Sequence, residues 1–214
     1  MGNIEELKEE IAYFMSRLYS QGLTTTSGGN ISALCDDGTV LITPSASDKG
    51  RMKGNEIGRM DLDGNIIGSV FKPSIETRMH LGIYKRRPDV KAVVHAHPVH
   101  ASAFAATTAR INARYLAESY AILGEIAYAD YFCMGSDELA TEVAEKVKSS
   151  ENYCVVMRNH GALAVGGNLL QAFDRLEVLE AAARISMMAS SCFRECAVEL
   201  DDAALGDIDR LMGR

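Results

Sequence analysis

The chain has 214 residues, enough for one well-buried domain and short for two, and its 47% hydrophobic and 24% charged composition is that of an ordinary globular protein. A formal charge of −7 argues against nucleic acid or an anionic membrane as the main partner, since both reward basic surfaces. The charged start MGNIEELKEE lacks the apolar core of a signal peptide, and no window approaches about eighteen consecutive apolar residues. The expectation is therefore a cytoplasmic protein without a membrane span. Five cysteines, at 35, 133, 154, 192 and 196, form no CxxC or secreted framework and read as reduced thiols. Cys192 and Cys196 lie four apart on a predicted helix, a spacing that suits packing better than a metal pair.

In chain order, Ile4, Leu7, Ile11, Met15 and Leu18 fall near one helical face, with Gly22 as the stop. The run TTTSGGNISALCDDGTVLITPSA reads as a Gly-rich turn, a strand at 31–35, an Asp-Asp-Gly turn and a second strand at 39–43. RMDLDGNIIGS repeats that grammar around Asp63-Gly64-Asn65. SIETRMHLGIYKRR predicts a helix with Ser74 as N-cap and Pro88 beyond its end. VKAVVHAH is a strand, and Pro98 opens a helix running through Ala106.

Residues 126–132 look extended, and GSDELATEVAEKVKSS is a helix capped by Ser136. YCVVMRNHGALAVGGN reads as strand, tight turn, strand. A long helix follows, with Leu169, Phe173, Leu176, Leu179 and Ala183 along its buried stripe. The tail at about 190–214 is acidic and weakly patterned, and no repeat or linker divides the chain, so 1–214 is expected to be one domain. Hairpins interspersed with helices indicate a mixed α/β fold with substantial antiparallel pairing.

Three of the five histidines stand at 95, 97 and 100. Side chains two apart on a strand share a face, so His95 and His97 project together, as two zinc ligands would. His100 lies past Pro98 and does not automatically join them. His160, beside Gly161 in a strand turn, is the candidate third ligand, whereas His80 on the helix after Glu76 suits ordinary packing equally well. An HxH in a strand can also be incidental. The Gly28-Gly29 segment can offer convergent N–H groups to an anion or serve as a bare hairpin turn; it is neither a Walker A loop nor a dinucleotide fingerprint. Glu76, expected in the first helical turn, is either a dipole-favoured capping residue or a general acid/base.

Taken as an ordered set, SGGNIS, LITPSA, KPSIETRMHLGIYKRRPDVKAVVHAHPVHASAF and MRNHGALAVG resemble the class II aldolase/adducin-head family, and within it most closely the zinc-dependent L-fuculose-1-phosphate aldolases. The resemblance runs from about residue 5 to about residue 190. It implies a three-layer α/β/α domain around a mainly antiparallel sheet, and a homotetramer with active sites at subunit interfaces. It implies Zn2+, or another divalent metal such as Mn2+ or Co2+, held by His95, His97 and His160, with Glu76 as acid/base and as a further ligand in the resting state. His100 becomes a bystander. Gly29, Asn30, Thr43, Ser45 and Ser74 match positions around a substrate phosphate, and Tyr115, rather than Tyr120, is the candidate for an assisting tyrosine.

The activity so implied is cleavage of a small ketose 1-phosphate, of fuculose or deoxypentulose type, to dihydroxyacetone phosphate and a short aldehyde through a metal-stabilised enediolate. A 4-epimerase, a methylthioribulose-phosphate-type dehydratase and an aldolase for an unphosphorylated sugar are the alternatives. No tyrosine follows Tyr153, which counts against the epimerase. Two positions depart from the family pattern: Ile75 stands where a second phosphate-binding Ser is usual, and Ala46 where Gly is usual. Adducin-like heads without catalysis lack the histidines this chain has.

Overall fold

The computed structural model describes residues 4–149 and 151–213. The first apolar stripe forms α1 (Ile4–Ser20), burying Ile11, Met15 and Leu18, with Gly22 beyond it at a φ of 71°. β1 (Asn30–Leu34) and β2 (Val40–Ile42) make the expected hairpin, and β3 (Gly58–Met60) pairs antiparallel with β2. The second hairpin, expected around Asp63-Gly64-Asn65, closes with a single bridge from Met60 to Ile66. Its far arm leaves Ile66 and Ile67 exposed, so no buried face holds a full strand there.

α2 (Thr77–Arg86) begins later than the sequence suggested. Ser74 does not cap it: Glu76 occupies the N-cap position, with its own side chain turned away from the helix. β4 (Ala92–Ala96) and α3 (Val99–Ala105) follow as expected, with Pro98 at the boundary. Next come α4 (Ala117–Leu123), β5 (Ile126–Ala129) and α5 (Asp137–Lys146), whose N-cap Ser136 accepts from the Leu139 N–H at 3.1 Å. Ser150, the last residue of the helix expected there, lies outside the described residues. β6 (Cys154–Met157), a tight turn and β7 (Gly161–Gly166) lead into α6 (Leu169–Cys192), capped by Asn168. The acidic tail is more ordered than its pattern suggested, forming α7 (Asp202–Met212) behind an Asp201 cap.

The seven strands found among the described residues form one sheet in the order β3-β2-β1-β4-β7-β6-β5. It is mixed but mostly antiparallel: β5 runs parallel to β6, a pairing that short strands separated by α5 permit, while the other pairs are antiparallel. Helices cover both faces. α1, α3 and α6 pack on the side holding Ile31, Val94 and Ala164. α2 and α5 pack on the side holding Val93, Leu163 and Val155. The strict period of two along the strands sets these faces, and it also sends Asn30, Ser32 and His95 toward α2.

Among the described residues no helix is long and apolar enough to cross a membrane. Cys192 and Cys196 are both exposed, so neither packs into the core, and neither belongs to a metal-binding group among the described residues.

Candidate metal centre and substrate cleft

β1 and β4 are paired so that Asn30 lies opposite His95, and Leu163 of β7 flanks His95 on its other side. His97 follows one step beyond the end of β4, its N–H held by the Leu23 carbonyl at 3.1 Å. The β6–β7 turn delivers His160 from the adjacent strand pair. One ligand atom from each of His95, His97 and His160 lies within 4.8 Å of the others, so the expected trio does meet in space. Glycines make this approach feasible. A Cβ on Gly161 would sit 2.6 Å from both the Ala96 carbonyl oxygen and the His97 ring, and one on Gly29 would sit 2.7 Å from the His95 carbonyl. Gly29 also has a φ of 67°, which a side chain rarely adopts.

Glu76 reaches into this cluster from the residue before α2. Its carboxylate oxygens lie 3.1 Å from His95 Nε2 and 2.8 Å from His160 Nε2. Asn30 Nδ2 donates to Glu76 Oε2 at 2.8 Å and to Ser74 Oγ at 3.0 Å. Burial alone would push the Glu76 carboxyl up, but the adjacent His95 and His160 outweigh it and hold the carboxyl well below the usual range. His95 is fully buried, which lowers its pKa, yet Glu76 more than offsets this and raises it. His97 is pushed down to about 4, by burial first and then by the two neighbouring imidazoles.

The donor set fits a divalent metal. His95 Nδ1–H donates to the Ala162 carbonyl at 2.9 Å, which fixes the tautomer and leaves Nε2 as a lone-pair donor. Nε2 of His97 is buried without a hydrogen-bond partner, and Nε2 of His95 and of His160 are faced by the Glu76 carboxylate at 3.1 and 2.8 Å. Such polar atoms converging on one small volume are costly unless a shared ligand satisfies them. Three neutral imidazoles and one carboxylate are a borderline-to-hard set suited to zinc and similar ions.

His97 and His160 open onto a cleft of about 320 Å³ whose walls include Gly28, Gly29, Asn30, Ser45, Ser74 and Glu76, and also Lys49, Ile75, Met134 and Asn159. Of the expected phosphate-contacting residues, Gly29, Asn30, Ser45 and Ser74 are thus gathered here. Thr43 is not: it is fully buried and its hydroxyl accepts from the Ile31 N–H at 3.2 Å. Ile75, 54% exposed, and Ala46, held at a φ of 54°, both face or border the cleft as the sequence implied. Tyr115 sits on a short turn before α4, outside the cleft lining, and the Tyr120 hydroxyl donates to Asp209 of α7 at 3.0 Å. His100 pairs with Glu180 of α6 at 2.7 Å and stands apart from the trio. Lys49 and Asn159 were not singled out by sequence; the loop around Lys49 carries no motif that marks it.

This is an α/β protein in which a three-histidine group able to hold a metal sits beside a buried carboxylate and a small polar cleft. The model of the class II aldolase and adducin N-terminal domain matches residues 9–187, and the chain belongs to that family. It is 33% identical to the L-fuculose phosphate aldolase of Methanocaldococcus jannaschii over 85% of this chain and 96% of that protein. It is 31% identical to the 3-oxo-tetronate 4-phosphate decarboxylase of Haemophilus influenzae over 83% of this chain and 85% of that protein. A solved L-fuculose 1-phosphate aldolase structure superposes with a TM-score of 0.86 at 31% identity, covering 98% of this chain and 97% of the other.

Proposed function

We propose that this protein is a metal-dependent aldolase that reversibly cleaves a small ketose 1-phosphate, of fuculose or deoxypentulose type, to dihydroxyacetone phosphate and a short aldehyde. The observation that carries the reading is the meeting of His95, His97 and His160 around the buried Glu76 carboxylate. When bound by the three histidines, a divalent ion would supply Lewis-acid stabilisation of the enediolate charge that develops as the C3–C4 bond breaks.

This chain's residues do the rest. In the cleavage direction the C4 hydroxyl gives its proton to solvent as the aldehyde forms, and the electron pair of the broken bond stays on C3. Glu76, ionised at rest, is placed to take up a proton from solvent and pass it to that carbon, and to remove it in the synthetic direction. Asn30 holds one carboxylate oxygen and so orients the other. The cleft volume suits a ligand of sugar-phosphate size. Tyr115 is proposed to act from a neighbouring subunit of a homotetramer, which is consistent with its place outside its own chain's cleft.

A second reading is favoured by the decarboxylase relative, since loss of carbon dioxide from a 3-oxo acid also leaves an enediolate for the same carboxylic acid to protonate. One assay separates the two. Purified, metal-loaded protein is offered fuculose 1-phosphate, deoxypentulose 1-phosphates, their unphosphorylated forms and a 3-oxo-tetronate 4-phosphate, with and without chelator. Chelator-sensitive release of dihydroxyacetone phosphate supports the aldolase. Release of carbon dioxide with no ketose cleavage overturns it in favour of the decarboxylase.

A further inference from the structure

Lys49 follows β2 in the loop that carries Ser45 and Ala46, and only 1% of it is exposed. Its Nζ donates to the Pro44 carbonyl at 2.8 Å and to Ser47 Oγ at 3.1 Å. Both acceptors are neutral, and the ammonium has a third hydrogen to give. Among the described residues Lys49 makes no ion pair. The acid that acts on it at a distance is Glu56, whose carboxylate is committed to the Lys53 N–H at 2.8 Å. A buried ammonium without a counter-ion is costly, and proteins keep one where a ligand supplies the missing charge.

Its position says which ligand. Lys49 is the one ammonium or guanidinium lining the cleft among the described residues, and it shares that wall with Ser45, Ser74 and Ile75. Ile75 brings no donor side chain to the wall, whereas a lysine brings a full charge. We propose that Lys49 binds the phosphate monoester of the substrate, its ammonium pairing with a phosphate oxygen alongside the Ser45 and Ser74 hydroxyls. The inference rests on the cleft being the substrate site of the proposed aldolase. It adds that the anion subsite of this chain is charge-based, with Lys49 on the loop after β2 supplying what the Ile75 side chain does not. Burial lowers the Lys49 pKa to about 8, so the group still carries its charge at neutral pH.

The test uses inorganic phosphate as the probe, so that binding is read without turnover. Affinity is measured by calorimetry on wild type, Lys49→Met and Lys49→Arg, each with metal and after chelation, because phosphate can also contact a metal directly. Expected is metal-independent binding that weakens at least tenfold in Lys49→Met and largely returns in Lys49→Arg. Phosphate affinity in Lys49→Met equal to wild type overturns the inference. Should that variant not fold, the 15N resonance of the Lys49 ammonium in the wild type decides: it moves on adding phosphate, or the inference falls. With active enzyme, Lys49→Met should lower the preference for phosphorylated over unphosphorylated ketose by tenfold or more. Phosphate binding through Lys49 without ketose cleavage would sink the aldolase reading alone. Cleavage with phosphate indifferent to Lys49 would sink this inference alone.

Discussion

The side-chain amide of Asn30 donates to Glu76 Oε2 at 2.8 Å, and its carbonyl oxygen accepts from His80 Nε2 on the far side. The chain continues: His80 Nδ1 accepts from Ser32 Oγ at 2.6 Å, and Ser32 Oγ accepts from the Tyr84 hydroxyl at 2.7 Å. Burial first, then the adjacent His95, push His80 down to about 3, so it is neutral and can accept at one nitrogen while donating at the other. A protonated ring would donate to Ser32 and reverse the chain's sense. Thus His80, which sequence alone left open between a ligand and ordinary packing, fixes which way Asn30 presents its amide and thereby where Glu76 points.

Replacing His80 with Phe should therefore free the Asn30 amide and leave Ser32 without its acceptor. The expected loss is about 10- to 100-fold in kcat, the range found when an outer partner of a site is removed. Stability should fall by about 1–3 kcal/mol for the polar groups left unpaired. Bound metal, measured on the same preparation, should stay stoichiometric. An unchanged kcat would show that Glu76 is oriented without the relay.

Removing a histidine of the trio acts differently. His95→Ala and His160→Ala should each lose bound metal after dialysis, whereas Glu76→Gln should keep the metal and lose turnover. Metal analysis of the three purified variants decides it. Stoichiometric metal in both alanine variants is incompatible with those residues as ligands.

Much of this site could be read from residue order because its parts lie on regular strands. The period of two places His95 and His97 together, and the turn before Gly161 places His160. The start of α2 is hidden in the sequence because Ser74 looks like a cap, while its hydroxyl serves Asn30 and the Glu76 carboxylate serves the histidines. Thr43 sits in a motif that suggested phosphate, but its strand-end hydroxyl closes a backbone bond to Ile31. Lys49 was invisible, since a lysine in a polar loop reads as solvated and only the fold reveals its burial. Likewise α7 buries Leu205 alone among its described side chains, too thin a stripe to announce a helix.

Gly29→Ala tests the close approach beneath the site. The new Cβ would meet the His95 carbonyl at 2.7 Å with the backbone at a φ of 67°, so both clash and conformation oppose it. The strain should cost at least about 1–3 kcal/mol in chemical denaturation. It should also shift Asn30, so activity falls further than stability explains. Stability within about 0.5 kcal/mol of wild type would contradict the geometry.

Ile75→Ser is expected to act in the opposite direction. The side chain is 54% exposed and lines the cleft, so the change opens no core cavity. An added hydroxyl donor to an anion contributes about 1.5–3 kcal/mol at best, which corresponds to roughly a tenfold or larger fall in KM for a phosphorylated ketose. The KM for the unphosphorylated sugar should not change. Equal effects on both substrates would place the phosphate elsewhere.

Lys49 also predicts a dependence of stability on pH. Its pKa is about 8 in the folded chain against an ordinary 10.5, because burial disfavours the charged form. Between those values the unfolded chain holds the proton and the folded chain does not, so this residue's contribution to stability rises with pH. Below pH 8 the full cost of burying the charge is present; by pH 10.5 it has gone. Lys49→Met has no such cost at any pH. Wild type should therefore gain on the Met variant by up to about 3 kcal/mol as pH is raised from about 7 to about 10.5, read as the difference between two urea midpoints. A constant difference across that range would mean that the ammonium is solvated, and the argument for a missing counter-ion would fail with it.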